Sequence, residues 1–235
     1  MKVKDKVVII TGASEGIGAT LARLLSANQA KVVLAARRAE ILKKMESELP
    51  NSLAIPTDIR KPEDIVNLIN RTVEHFGRVD LLVNGAGQAQ YGPIEKVDIA
   101  EYQSIVELNV YGPLRAMQAV IPQMRKQGGG MILNISSMVS KQYIPLLGSY
   151  ASTKYALNAL SLTARQELAP DKIIVSVFHP RMTATNFGKN ALGVRMFENL
   201  ASAGSYDDMP VDSTEIVAAK ILMQIESEEA ESMMI

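Results

Sequence analysis

Tyr150 and Lys154 stand four residues apart in SYASTK, residues 149–154, with only small side chains between them. In a helix that spacing puts the phenol and the ammonium one turn apart on one face. Ala151, Ser152 and Thr153 leave room for something large to lie against it. A positive charge beside a phenol favours the ionised form. It draws a group whose reference pKa is about 10 toward use as a proton donor or acceptor near neutral pH. The same spacing also suits an ordinary amphipathic helix with a half-buried tyrosine and a surface lysine, because such pairs are common. What the pair means depends on the rest of the chain.

A second stretch, TGASEGIG at residues 11–18, sets Gly12, Gly16 and Gly18 between a strand pattern and a helix pattern. A chain that turns sharply and lets a pyrophosphate approach its backbone needs residues without Cβ. The helix start then offers unpaired N–H groups and the positive end of its dipole. A strand before and a helix after give this turn the context that a lone glycine-rich segment lacks.

The elements that must position these residues are legible as a rhythm. Apolar, β-branched runs at 6–11, 31–36, 52–56, 79–84, 130–136 and 172–178 predict strands. They barely alternate, which fits strands buried on both faces. Helix patterns fall near 16–28, 38–49, 62–76, 100–126 and 149–169. Pro62, Glu63 and Asp64 make a good helix start, since proline suits the first turn and acids its positive end. The alternation predicts a single α/β domain over 1–235, a doubly wound parallel sheet with helices on both faces. Residues 186–210 break the rhythm and suit either a substrate lid over the strands' carboxyl ends or a plain surface excursion. A final helix at 212–226 runs into ESEEAES, read as a solvated, frayed end, with no strand expected after 226.

Composition narrows the function. Of 235 residues, 47% are hydrophobic and 21% charged, as in soluble globular proteins. Lys plus Arg and Asp plus Glu are both 25, so no nucleic-acid partner that relies on overall basicity is expected. There is no cysteine, which excludes thiol chemistry, and the two histidines, His75 and His179, are too far apart in sequence to predict a metal site. The opening MKVKDKVVIITG has too short an apolar run for a signal peptide, and no later run approaches a membrane span. The expectation is a cytoplasmic protein without a membrane partner.

Taken in order, the motifs resemble the short-chain dehydrogenase/reductase family. Thr11 followed by Gly-x-x-x-Gly-x-Gly is similar to that family's cofactor turn. NGAG, residues 84–87, resembles its Asn-Asn-Ala-Gly turn, with Gly85 in place of the second Asn. ELNVYG puts Asn109 at its helix asparagine. NISS ends in Ser137, thirteen residues before Tyr150, matching its serine-to-tyrosine spacing, and Tyr150-x-x-x-Lys154 follows. The resemblance covers nearly the whole chain. Five motifs in the right order and context make it specific.

The resemblance implies a Rossmann-type fold and an enzyme that moves hydride between a nicotinamide and a carbonyl or secondary alcohol. Tyr150 would be the proton donor or acceptor. Lys154 would lower its pKa and bond the nicotinamide ribose, Ser137 would hydrogen-bond the substrate oxygen, and Asn109 would hold a water in a proton relay. Ser136 is the competing serine, facing the opposite way if the strand continues. Ser14, Glu15 and Ile17 of the glycine turn, Asn84, Gly85 and Ala86 of the second turn, and Asp58 and Ile59 at the adenine would line the cofactor. Past the strand at 172–178, Pro180, Thr183 and Thr185 would seat the carboxamide. NADP(H) is the expected cofactor, NAD(H) the other possibility. Ala36 stands where an Asp would bind a 2′-hydroxyl, and Arg37 and Arg38 suit a 2′-phosphate. Glu15 works against that choice.

Arg181 replaces the family's glycine after Pro180. It either offers a cation to substrate or points outward. Met138, Ile144, Leu147 and Phe187 would wall a mostly apolar substrate site, with Gln90, Tyr91 and Met196. Other readings are a 3-oxoacyl-thioester reductase, which would want a basic patch for its carrier protein, and a non-catalytic nucleotide-sensing scaffold. Relatives assemble through the helices carrying Asn109 and Tyr150, so a homodimer or homotetramer is implied. The lack of a predicted last strand weighs against the tetramer.

Overall fold

Alternate residues of the first strand leave by opposite faces, and both faces are apolar. Val8 and Ile10 enter one core cluster, Val7 and Ile9 the other, all fully buried. Each such side chain contributes about 1.5–3 kcal/mol relative to an exposed one, so this strand is stable only between two layers of helices. The computed structural model describes residues 1–193 and 210–234.

The strands are β1 (Val7–Thr11), β2 (Lys31–Ala36), β3 (Ser52–Pro56), β4 (Leu81–Asn84), β6 (Gly130–Ile135), β7 (Ile173–His179) and β9 (Glu231–Met233). They form one parallel sheet in the order β3-β2-β1-β4-β6-β7-β9. Helices α1 (Gly16–Ala27), α2 (Ala39–Glu48) and α7 (Thr214–Ser227) pack on one face through residues such as Leu21, Leu42 and Ile221. Helices α3 (Pro62–Phe76), α5 (Gly112–Lys126) and α6 (Gly148–Leu168) cover the other through Leu68, Val120 and Leu168. This is the predicted doubly wound, Rossmann-like architecture. The chain reverses direction across the sheet between β1 and β4, the place where such folds bind ligands.

Two elements differ from the sequence expectation. The helix expected over 100–126 is broken into α4 (Ile99–Val106), a π-helical turn (Glu107–Tyr111) and α5. Pro113 has no N–H to give the carbonyl four residues back, that of Asn109. A widened turn around the asparagine accommodates that loss.

The second difference is β9, formed by part of the stretch read as a frayed tail. Glu228 ends α7 in the left-handed conformation, φ 62°, and sends the chain back along β7. Val177 N–H donates to Ala230 O and Met234 N–H to His179 O. The Gln224 amide donates to Val177 O and Glu229 O, and Arg165 reaches Glu228 O. The expectation that nothing follows 226 is therefore corrected. Partners supplied by α6, α7 and β7 hold three residues that carry no strand pattern of their own.

Part of the segment at 186–210 is described. Leu192–Gly193 (β8) pairs in parallel with Gln90–Tyr91 (β5) as a separate two-stranded sheet. Residues 194–209, including Met196, lie outside the described residues. Among the described residues no helix is long and apolar enough to cross a membrane.

Candidate active site

The carboxyl ends of β1, β4, β6 and β7 converge on the first turns of α6. That helix begins with Gly148, Ser149, Tyr150 and Ala151 and buries most of its first half, including Thr153, Lys154, Leu157 and Asn158. A polar ladder runs beneath it. Asn84 donates to Asn134 Oδ1 at 2.8 Å, and Asn134 to Ser161 Oγ at 2.7 Å. This fixes α6 to β4 and β6 where an all-apolar contact would leave its rotation free.

Tyr150 is buried, with its ring tilted against Phe187 at 5.7 Å between centroids. The Ser137 hydroxyl lies beside the phenol, where it favours the ionised form. Ser137 stands in extended backbone just past β6 and is half-buried, whereas Ser136 is buried and turns to Ser140 at 3.3 Å. Of the two serines, Ser137 is the one brought to the tyrosine.

Lys154 is also buried. Its Nζ donates to Ile135 O at 2.9 Å and lies 5.9 Å from the centre of the Tyr150 ring. Burial pushes Tyr150 above the usual phenol range, with the Ser137 hydroxyl pulling the other way. Burial brings Lys154 down to about 8. Within this chain, desolvation rather than the lysine charge sets the phenol's pKa, contrary to the expectation from spacing.

Asn109 is fully buried on the π turn. Its Nδ2 donates to Gln88 O at 2.8 Å and Thr153 Oγ1 at 3.1 Å, and its Oδ1 accepts from Gln88 N at 3.0 Å. It thus clasps the loop after β4 to α6. A Cβ on Gly87 would lie 3.2 Å from Asn109 Oδ1 and 3.6 Å from Lys154 Nζ, so this glycine keeps the floor of the site open.

The glycine turn approaches the β4 turn closely. A Cβ on Gly12, at φ 74°, would lie 2.9 Å from the Ala86 backbone, and one on Gly18 would lie 2.4 Å from Gly12 O. Gly85 approaches Thr11 O in the same way, at 2.9 Å, which suits glycine where the family pattern has asparagine. Thr11 Oγ1 accepts from both Gly85 N and Ala86 N. The sequence reading passed over this clamp, although a threonine opening the motif was its signal.

Helix α1 starts at Glu15 and Gly16 with no side-chain cap and no acid in its first turn. Its N–H groups and dipole are left for an anion, which fits a dinucleotide pyrophosphate. Thr185 reaches the same turn, its methyl 3.1 Å from where a Gly16 Cβ would sit. Ile17 packs on the core beneath.

Past the end of β2, Arg38 donates to Ser14 Oγ at 2.8 Å and pairs with Glu15 at 3.1 Å. Arg37 is exposed at the end of β2, and its charge reaches Asp58. Asp58 is gripped by the Arg60 fork, at 2.9 Å from Nε and 2.5 Å from Nη2, which holds its carboxyl below the usual range. Ile59 turns its side chain into the core against Gly112.

Past β7, Pro180 O accepts from Met138 N at 2.9 Å, joining the loops that carry Ser137 and Arg181. Arg181 makes a two-pronged ion pair with Asp212, at 2.6 and 2.8 Å. Its charge is answered within the protein by a buried carboxylate. Thr183 forms a β-bridge with Asp212 beside it. Ile144, Leu147 and Phe187 join Ala89, Val139 and Tyr150 in a small apolar cluster over the site. Met138 is half-buried in the short 3-10 turn after Ser137.

The model of the short chain dehydrogenase family matches residues 6–195. The chain belongs to this family. This short-chain dehydrogenase is 42% identical over 169 residues to an uncharacterised oxidoreductase of Staphylococcus saprophyticus, covering 71% of this chain and 69% of the relative. Its fold matches an alcohol dehydrogenase from the archaeon Thermococcus sibiricus complexed with 5-hydroxy-NADP. The TM-score is 0.84 at 28% identity, over 97% of this chain and 95% of that one. It also matches a 7α-hydroxysteroid dehydrogenase complexed with NADH and 7-oxo glycochenodeoxycholic acid, with TM-score 0.87 at 26% identity over 99% and 94% of the two chains. The protein is thus an NAD(P)-dependent oxidoreductase acting on CH–OH or C=O groups.

Proposed function

We propose that the protein is an NADP(H)-preferring carbonyl reductase or secondary-alcohol dehydrogenase for an apolar, mid-sized substrate. The observation that carries the reading is the meeting of Ser137, Tyr150 and Lys154 under the apolar cluster of Ile144, Leu147 and Phe187. A nicotinamide bound here supplies or takes up the hydride at the substrate carbon. The chain's own residues handle the oxygen. Tyr150 delivers its phenol proton to the developing alkoxide in reduction and takes it back in oxidation. Ser137 donates a hydrogen bond to the same oxygen and steadies its charge. Lys154, with its pKa brought down to about 8 by burial, is poised to replace that proton near neutral pH. Asn109 holds the loop and α6 at fixed separation through Gln88 and Thr153. The apolar cluster keeps water from the reacting carbon.

The adenosine end supports NADP(H). Ala36 leaves no carboxylate to repel a 2′-phosphate, Arg37 is exposed beside it, and Arg38 answers the charge of Glu15. In a matched binding titration NADPH is expected to bind at least about tenfold tighter than NADH, and Ala36→Asp to reverse the order by like-charge repulsion. A wild type that binds NADH more tightly rejects the preference.

The function is tested by NADPH and NADH consumption against an aromatic ketone, a diketone, an aliphatic aldehyde and a 3-oxoacyl thioester, with Tyr150→Phe as control. Turnover of simple carbonyls that disappears in the control is the expected result. Equal turnover by the control overturns the role of Tyr150. Turnover of the thioester alone moves the reading to acyl-thioester reduction. The protein is further proposed to act as a homo-oligomer in the cytoplasm.

A further inference from the structure

His179, the last residue of β7, is fully buried and takes no part in the chemistry above. Its ring lies directly behind the serine loop. Nδ1 is 3.2 Å from Ser137 O and 3.2 Å from Ser140 Oγ. Nε2 is 2.8 Å from Glu231 Oε1, and Lys141 Nζ holds that same oxygen at 2.6 Å. Glu231 opens β9, so the edge strand reaches the catalytic loop through the imidazole and through Lys141.

A carboxylate only accepts, so Nε2 carries the hydrogen. In the neutral ring Nδ1 is then an acceptor, and the Ser140 hydroxyl at 3.2 Å is the donor within reach. Ser140 has a single hydroxyl proton, and Ser137 O, 2.6 Å from its Oγ, competes for it. Asn158 donates to Ser140 Oγ at 2.9 Å from α6, which leaves the Ser140 proton to the carbonyl, the ring or Ser136 Oγ at 3.3 Å. When the ring takes a second proton, Nδ1–H becomes a donor to Ser137 O and stops accepting from Ser140. The charge state of His179 therefore decides which hydrogen bonds hold the backbone of Ser137, whose own hydroxyl meets Tyr150.

We propose that His179 and Glu231 are positioning residues that set the Ser137 backbone and aim its hydroxyl, with the neutral ring as the working form. The inference rests on the reading of Ser137 as the residue that bonds the substrate oxygen. The charged groups facing the ring are Glu231 from β9 and Lys141 from the 3-10 turn. Helix α6 presents only the Asn158 amide, and Ser137 and Ser140 are neutral. Burial lowers the pKa of His179 against the pull of Glu231, which keeps the ring neutral at pH 7.

The test compares wild type, Glu231→Gln, His179→Gln and Ser137→Ala, using the panel carbonyl that wild type turns over fastest. The two histidines also allow the His179 tautomer and titration to be read by nitrogen NMR on histidine-labelled protein, with His75→Gln for assignment. The expected tautomer carries hydrogen on Nε2. The kcat profile of wild type should fall on an acid limb that tracks the His179 titration. Glu231→Gln, lacking the carboxylate that favours imidazolium, should shift limb and titration together to lower pH. His179→Gln should abolish the limb and lower kcat about tenfold, as small misplacements do, with NADPH affinity kept.

Glu231 lies on a partly exposed edge strand, so its variant reports even if His179→Gln does not fold. Wild-type kcat and an unmoved limb in the folded variants overturn the inference. So does a fall in kcat that follows melting temperature with the limb in place. If Ser137→Ala keeps full turnover, or wild type is silent on the whole panel, the reading of the site fails and takes the inference with it. If Ser137→Ala is inactive while Glu231→Gln and His179→Gln behave as wild type, only the inference fails.

Discussion

At the scale of residues, the site places a phenol and an ammonium where burial disfavours the charge of each. The lysine pKa falls from 10.5 to about 8, a burial penalty of about 3 kcal/mol by the usual conversion. Below about pH 8 native and unfolded chains both carry the charge, and the penalty is present in full. Between about 8 and 10.5 the unfolded chain holds more protons, so the stability due to this group rises with pH. Tyr150, raised above its ordinary 10.0, acts in the opposite sense above that pH. Thermal melts of wild type from pH 8 to 10 should therefore contain a stabilising component that Lys154→Met removes. Lys154→Met should melt no lower than wild type at pH 7 while losing activity about 100-fold or more. A variant that is both active and less stable would mean that the charge is not buried. Tyr150→Phe should keep the fold and lose activity by about 1,000-fold. Ser137→Ala should lose about 100-fold, the effect of removing one donor to a developing oxyanion.

Elements explain what was legible in the sequence and what was not. The strands and glycine turns were readable because buried parallel strands are continuous β-branched runs and close backbone approach requires glycine. Ser137, Tyr150 and Lys154 were singled out by a different route, the order and spacing of motifs that resemble the family, since their spacing alone also suits an ordinary amphipathic helix. The sign of the phenol's pKa shift was not, since depth of burial depends on helices remote in sequence. The π turn was hidden because an asparagine within a helical period looks like any other interior residue. Strand β9 was hidden more deeply. Its residues Glu231, Ser232 and Met233 form a strand only because other elements supply partners.

Arg165 is the clearest of these partners. It stands on α6 and donates to Val175 O at 2.8 Å and Glu228 O at 3.0 Å, tying the helix of Tyr150 to β7 and to the turn before β9. Arg165→Met should lower stability by about 2 kcal/mol in chemical denaturation, since charge-assisted bonds to partly buried carbonyls are lost together. An unchanged midpoint would mean that β9 is held by its backbone bonds alone.

For the whole molecule, β9 removes the reason for favouring the dimer over the tetramer. Exposed apolar side chains lie on both sides of the sheet. Ile99 and Tyr111 lie on α4 and the π turn, on the side of α5 and α6. Ile216 and Met223 lie seven residues apart on one stripe of α7, on the side of α1. A chain with zero net charge has little long-range repulsion to keep copies apart. Two separate self-complementary faces build a closed four-chain assembly, whereas one builds only a pair. Light scattering at micromolar concentration should therefore report four chains of 25.6 kDa. The double variant Ile216→Lys, Met223→Glu should split the assembly into pairs joined through the α4 and α6 side. NADPH affinity should be unchanged, because both side chains are exposed to solvent. A monomeric wild type, or a variant that stays tetrameric, would show that the α7 stripe is not an interface.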